Sequence, residues 1–171
     1  NRPFVSARHM NEAMIERWNS RVSERDIVLF LGDFAMGPGV TPEFVVDIID
    51  RLNGYKECVM GNHDAKSKYS PGLFNIVNDA NISGFRFQES IYEFDHDGTR
   101  FVACHYPMTD WNAKYHGAIH LHGHAHTQFT SHAVHQMKQG RKYDVGVDMY
   151  GGPVEVTGDL RYLNDPKGWN A

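Results

Sequence analysis

Cysteine is scarce in this 171-residue chain, with Cys58 and Cys104 as its only two. No paired-cysteine motif is present to hold a structural zinc. Each thiol lies in a hydrophobic run where a buried free cysteine is the simpler reading, which fits a reducing, cytoplasmic setting. Positive charge is not in excess either: 17 basic residues against 21 acidic ones leave a net charge of -4, which counts against a stable complex with a nucleic acid backbone. No apolar run approaches the roughly 20 residues that span a bilayer and no signal-peptide pattern is read, so no membrane partner is expected. Repeats, low-complexity segments and linkers are lacking too, and a single domain over residues 1–171 is expected. Nothing in the sequence specifies an oligomeric state. Finally, no Met precedes Asn1-Arg2-Pro3-Phe4, and a further segment upstream of Asn1 is expected.

The chain has clear element signals. Ser6 is a candidate N-cap for a helix to about Arg21, with Met10, Met14 and Trp18 spaced four apart as a core stripe. Ile27-Val28-Leu29-Phe30-Leu31 is an unbroken apolar run that reads as a strand covered on both faces and ending at Gly32-Asp33. Thr41 can cap a second helix from Pro42 to about Leu52, stopped by Gly54, and Glu57-Cys58-Val59-Met60 reads as a second strand. This strand–helix–strand series predicts a βαβ unit. One short helix at most is expected between Ala65 and Gly84. Phe85 to Phe94 and Thr99 to Cys104 read as strands flanking an Asp97-Gly98 hairpin turn, where the sheet turns antiparallel. Ala118 to Leu121 and Tyr143 to Val147 add two strands. The stretch from Gln128 to Lys142 reads as a short strand with a turn at Gly140, and the tail from Gly158 as loosely held.

Four separated pieces carry the chemistry: Gly32-Asp33, Gly61-Asn62-His63-Asp64, Cys104-His105-Tyr106-Pro107 and Gly123-His124-Ala125-His126. Each places metal-ligand side chains where a strand ends. Asp33 or Asn62 alone could be a turn residue bonding its own backbone, so the ordered set, not any one piece, is the signal. His120, His122, His124 and His126 alternate, which on a strand would put all four on one face. Of these, His124 and His126 read as ligands, His122 as either packed or bracing a ligand, and His120 as packed. His132 and His135 have no ligand spacing, His96 sits at a hairpin tip facing solvent, and Trp111 reads as packed under a loop as readily as lining a cleft.

The order Asp, Asn-His-Asp, His, His-x-His resembles the calcineurin-like metallophosphoesterase superfamily over roughly Asp33 to Asp148, with Val145-Gly146-Val147-Asp148 similar to the last core strand of that family. The resemblance implies an α/β sandwich of two mixed β-sheets flanked by helices, with the site on loops at the strand C-terminal ends. It also implies hydrolysis of a small phosphomonoester or phosphodiester by in-line attack of a metal-bridging hydroxide. By resemblance, Asp33 bridges two divalent metal ions. Asn62, His105 and His124 complete one set, and His126 belongs to the other. His63 would stabilise the phosphoryl transition state or protonate the leaving oxygen, with Asp64 holding its ring. Manganese, iron, zinc and cobalt all suit such N and O ligands, with manganese favoured.

Two departures qualify the resemblance. Family members open with a strand ending in Asp-x-His, which supplies both remaining ligands of the first metal. No such motif precedes Gly32 here, and the strand is expected upstream of Asn1. Gly32-Asp33-Phe34-Ala35-Met36-Gly37 also lacks the further Asp and Arg of protein Ser/Thr phosphatases. The absent Asp-x-His favours one rival, a non-catalytic metal-binding scaffold on the same fold. A nuclease is a second rival, against which the small size and net charge count.

Overall fold

Ser6 does cap the first helix, α1 (Ala7–Asn19): its backbone is extended and its hydroxyl accepts from His9 N–H at 3.1 Å. Thr41 does the same for α2 (Pro42–Arg51), accepting from Phe44 N–H at 3.2 Å with Pro at the helix start. The computed structural model describes residues 2–37, 39–66, 71–126 and 141–156 of the chain. The expectations for 127–140, which include His132 and His135, and for the tail from Gly158 lie outside those residues.

Between these helices runs β1 (Ile27–Phe30), followed after α2 by β2 (Tyr55–Cys58), α3 (Leu73–Asp79) and β3 (Phe85–Phe87). The three strands form one sheet in the order β1-β2-β3, parallel throughout, with Leu29 opposite Glu57 and Cys58 opposite Phe87. The second sheet contains β4 (Ile91–His96), β5 (Thr99–Cys104), β6 (Ile119–His122) and β7 (Lys142–Asp144) in sequence order. Here β4 and β5 form the expected hairpin, turning through the left-handed Asp97 and Gly98, while β5, β6 and β7 are parallel. A four-residue helix, α4 (Val147–Tyr150), follows.

The fold is therefore α/β with two sheets, and several expectations change in detail. Only the second sheet is mixed. The apolar stretch from Phe85 to Phe94 is two strands in different sheets, because Gln88, Glu89 and Ser90 interrupt it and let the chain cross over. The strand expected to reach Val147 stops at Asp144, and the Val147–Asp148 pair opens α4 instead.

Alternation along the parallel strands builds the layers. Leu29, Leu31 and Val59 meet Phe101, Ile119 and Leu121 of the second sheet, while Val45, Ile49 and Ile76 of α2 and α3 cover the opposite face. The end of α1 docks through Ile15 and Trp18 against Leu52, and the Trp18 Nε1–H donates to Asn53 O at 3.0 Å. Met10 and Met14 are only half-buried, so of the expected stripe Trp18 alone is core, joined by Ile15. They line a groove of about 1930 Å³ that runs beside β1, Leu121 and Val145. Among the described residues β1 has no strand partner on its outer side, and Ile27 is 69% exposed. That edge is the reason β1 is less buried than its apolar run suggested.

No helix among the described residues is long and apolar enough to cross a membrane. Cys58 and Cys104 are both buried free thiols, and burial pushes the Cys58 thiol well above its usual range.

Candidate metal centre

Every piece of the motif set leaves the C-terminal end of a strand: Asp33 just beyond β1, Asn62 beyond β2, His105 beyond β5 and His124 beyond β6. Two glycines bring the first two loops into contact. Gly32 has φ 88°, and a Cβ there would overlap the Gly61 backbone; a Cβ on Gly61 would in turn overlap the Asp33 carboxylate. Only a backbone without side chains at both positions allows this approach.

The four side chains converge on the Nε2 of His105. Asn62 Oδ1 lies 3.1 Å away, His124 Nδ1 3.2 Å and Asp33 Oδ2 3.4 Å. The ligand atoms of Asp33, His105 and His124 all fall within 4.8 Å of one another. Edges of a coordination polyhedron with bonds of about 2.1 Å measure about 3.0 Å if octahedral and about 3.4 Å if tetrahedral. The three spacings measured from His105 Nε2 match those edges. His105 is buried, and its Nδ1 sits 2.7 Å from Leu31 O, a carbonyl that can only accept. A neutral ring here carries its proton on Nδ1 and turns a bare lone pair on Nε2 toward two oxygens that also have no proton to give. Such a cluster of lone pairs is stabilised by a cation, and its N and O donors suit a divalent transition metal.

Asp33 divides its work: Oδ2 faces this cluster while Oδ1 accepts from the His63 backbone N–H at 2.8 Å. His63 itself is exposed. Asp64 differs from its expected role. Buried at 2% exposure, it accepts from the backbone N–H groups of Asp33 at 2.7 Å, Phe34 at 2.8 Å and Gly61 at 2.8 Å. Among the described residues its carboxylate bonds these amides rather than the His63 ring. It ties the β1 loop to the β2 loop.

The alternating histidines do not share one face, because β6 ends at His122 and both His124 and His126 have left-handed backbones, with φ 61° and 47°. Such geometry in non-glycine residues is a strain found at functional loops. His126 lines the same groove but stands outside the cluster, its Nδ1 3.2 Å from Asp148 Oδ2. Sequence reasoning gave Asp148 no role. It also missed Arg2, whose Nε donates to Asp148 Oδ1 at 2.7 Å. The only signal for Asp148 was its place in the matched stretch, and Arg2 lies outside it.

His120 is wholly buried and serves as a peg. Its Nδ1–H donates to Val102 O at 2.9 Å, Met108 N–H donates to its Nε2 at 3.0 Å, and the Trp111 ring lies tilted against it with centroids 5.2 Å apart. Both nitrogens are used, so it is no ligand. Trp111 accordingly packs beneath the loop, its Nε1–H donating to Ala118 O. His122 lies behind the site, 5.4 Å from the His120 ring, and burial holds it below the usual imidazole range. Burial likewise pushes His120 down to about 4.

A pH effect follows. Between the ordinary value near 6.5 and about 4, the unfolded chain takes up a proton that the folded one refuses, so stability present above that window is lost as pH falls through it. The loss is on the order of 2–3 kcal/mol. His120→Gln keeps a donor for Val102 and an acceptor for Met108 without the titration, and should flatten this part of the profile. Urea unfolding of both forms from pH 7 to 4 checks it; parallel profiles would show that His120 is not the group responsible.

No family model matches the chain. Over 126 residues it is 29% identical to an uncharacterized protein of Methanocaldococcus jannaschii, a match that covers 74% of this chain and 58% of that one. The chain thus spans little more than half the length of that relative. It is 24% identical over 175 residues to the Gene 66 protein of Mycobacterium phage L5, covering 91% of this chain and 83% of the phage protein. A protein of unknown function from Aquifex aeolicus has a similar fold, with a TM-score of 0.58 at 19% identity over 85% of this chain and 80% of that one.

Proposed function

We propose that this chain is a metal-dependent phosphoesterase of the calcineurin-like metallophosphoesterase type, acting on a small phosphomonoester or phosphodiester. The observation that carries the reading is the convergence of Asp33, Asn62 and His124 on the bare Nε2 of buried His105. These four residues would hold one divalent cation, and Asp33 with His126 would contribute to a second. When bound, such cations polarise a phosphoryl group and lower the pKa of water.

The chain's own residues do the rest. Asp64 holds the two ligand-bearing loops together, and the glycine contact at Gly32 and Gly61 sets their separation. His63 is fixed at its backbone by Asp33 while its ring stays accessible at the rim, a place from which it can give a proton to the leaving oxygen. The groove beside β1 has room for an extended segment against the free strand edge, and an Asp-x-His there would bring the second cation two more ligands.

A second reading, a metal-binding scaffold without turnover, is favoured by one observation: among the described residues Asp33, His105 and His124 cluster, while His126 stands apart beside Asp148. Hydrolysis separates the two. With saturating Mn²⁺ and bis-p-nitrophenyl phosphate or p-nitrophenyl phosphate, a chain extended at its start by a strand ending in Asp-x-His should turn over well above background. His63→Ala in that chain should lower turnover by about 10²- to 10⁴-fold with metal content unchanged. Activity at background in the extended chain would leave the scaffold reading standing, and parallel loss of metal and activity would make His63 a ligand.

A further inference from the structure

Asp148 and Arg2 lie 146 positions apart in the chain and meet in a two-point contact. Arg2 Nε donates to Oδ1 at 2.7 Å and an Arg2 Nη to Oδ2 at 3.2 Å. An ion pair that is 28% and 17% exposed adds little stability by itself. It does fix the plane of the carboxylate. Oδ2 also lies 3.2 Å from His126 Nδ1, and an ionised carboxylate can only accept. The proton of a neutral His126 ring is therefore on Nδ1, and Nε2 carries a bare lone pair. The ring is 63% exposed on a left-handed backbone, so this one hydrogen bond restrains a side chain that is otherwise open to solvent. His105 is set in the same tautomer by a different acceptor, Leu31 O.

We infer that Asp148, oriented by Arg2, is a positioning residue that commits His126 to the Nδ1–H tautomer and offers its Nε2 to a divalent cation in the groove. A carboxylate behind a ligating imidazole fixes the ring and raises its basicity. The cation part of this inference rests on the phosphoesterase reading; the tautomer part does not. The Arg2 contact also ties residues before α1 to α4, and through Asp148 to His126 in the loop after β6, which links the start of the described chain to the site.

Asp148→Asn keeps the size of the side chain and removes its charge. Two measurements test it. In metal-free protein at pH 8, the ring ¹⁵N shifts of His126, identified by their loss in His126→Gln, should report Nδ1–H in the native chain and a shift toward Nε2–H in Asp148→Asn. In Mn²⁺ titrations, Asp148→Asn should weaken one class of site by about 10- to 100-fold, leave the class removed by Asn62→Ala intact, and add nothing further in a His126→Gln background. An unchanged tautomer in Asp148→Asn overturns the inference. So does a loss of Mn²⁺ affinity that persists in full without His126, since that is a merely structural effect. No Mn²⁺ uptake by the native chain overturns the cation half together with the proposed function, while the ¹⁵N shifts still decide the positioning half.

Discussion

Asp33→Asn is expected to remove the divalent cation from the four-residue site and activity with it. The two side chains have the same shape, so packing is preserved, but the amide cannot serve both of its neighbours. Oδ1 accepts from His63 N–H, and Oδ2 faces the ring of His105 at 3.4 Å. With the NH₂ toward His63, two donors oppose each other; with it toward the cluster, a donor takes the place of a charged ligand. Either orientation loses the negative charge that offsets the cation. Replacing a residue that only supports a ligand typically costs 10- to 100-fold in metal affinity, so loss of the ligand itself should reach at least about 100-fold. Mn²⁺ titration with circular dichroism on the same samples checks it. Native-like affinity in a folded Asp33→Asn protein would show that the cluster is not a metal site.

The largest expected loss of stability is at Asp64. This buried carboxylate satisfies three backbone N–H groups from two different loops. Asp64→Ala leaves all three without their acceptor, at about 1–3 kcal/mol for each that stays dry. Water entering at the exposed Asn62 side should recover part of this, so about 3–5 kcal/mol is expected, against a total domain stability of about 5–15 kcal/mol. Asp64→Asn should fall between, since one oxygen can still accept while its NH₂ opposes a backbone donor. Urea unfolding of the three forms is the measurement. A change under about 1 kcal/mol in Asp64→Ala would mean that the loops are held by other contacts. Were Asp64 instead the partner of the His63 ring, Asp64→Asn would lower turnover with little change in stability, so the same pair of variants separates the two roles.

Local signals carried much of the fold. Ser6 and Thr41 cap their helices because a side-chain acceptor beside orphan N–H groups is a matter of a few neighbouring residues. The βαβ unit follows from an apolar run, a capped amphipathic helix and a second run, and the Asp97-Gly98 turn from two residues that tolerate left-handed backbone. Where the reading of Phe85 to Phe94 failed, the failure was not local: alternation shows that a segment can be a strand, not which sheet receives it. The same holds for β1, whose apolar run indicates two covered faces and says nothing about an open edge.

The amino-acid sequence by itself determined the kinds of candidate ligand and their order at the ends of strands, since residue type and spacing are properties of the chain alone. The tertiary structure decided which atom of each side chain faces the site. Leu31 O sets the proton of His105, Asp148 Oδ2 that of His126, and Val102 with Met108 takes His120 out of contention. The direction of an imidazole lone pair depends on what the other ring nitrogen bonds, and here those partners lie as much as 74 residues away along the chain. Folding alone brings them within reach.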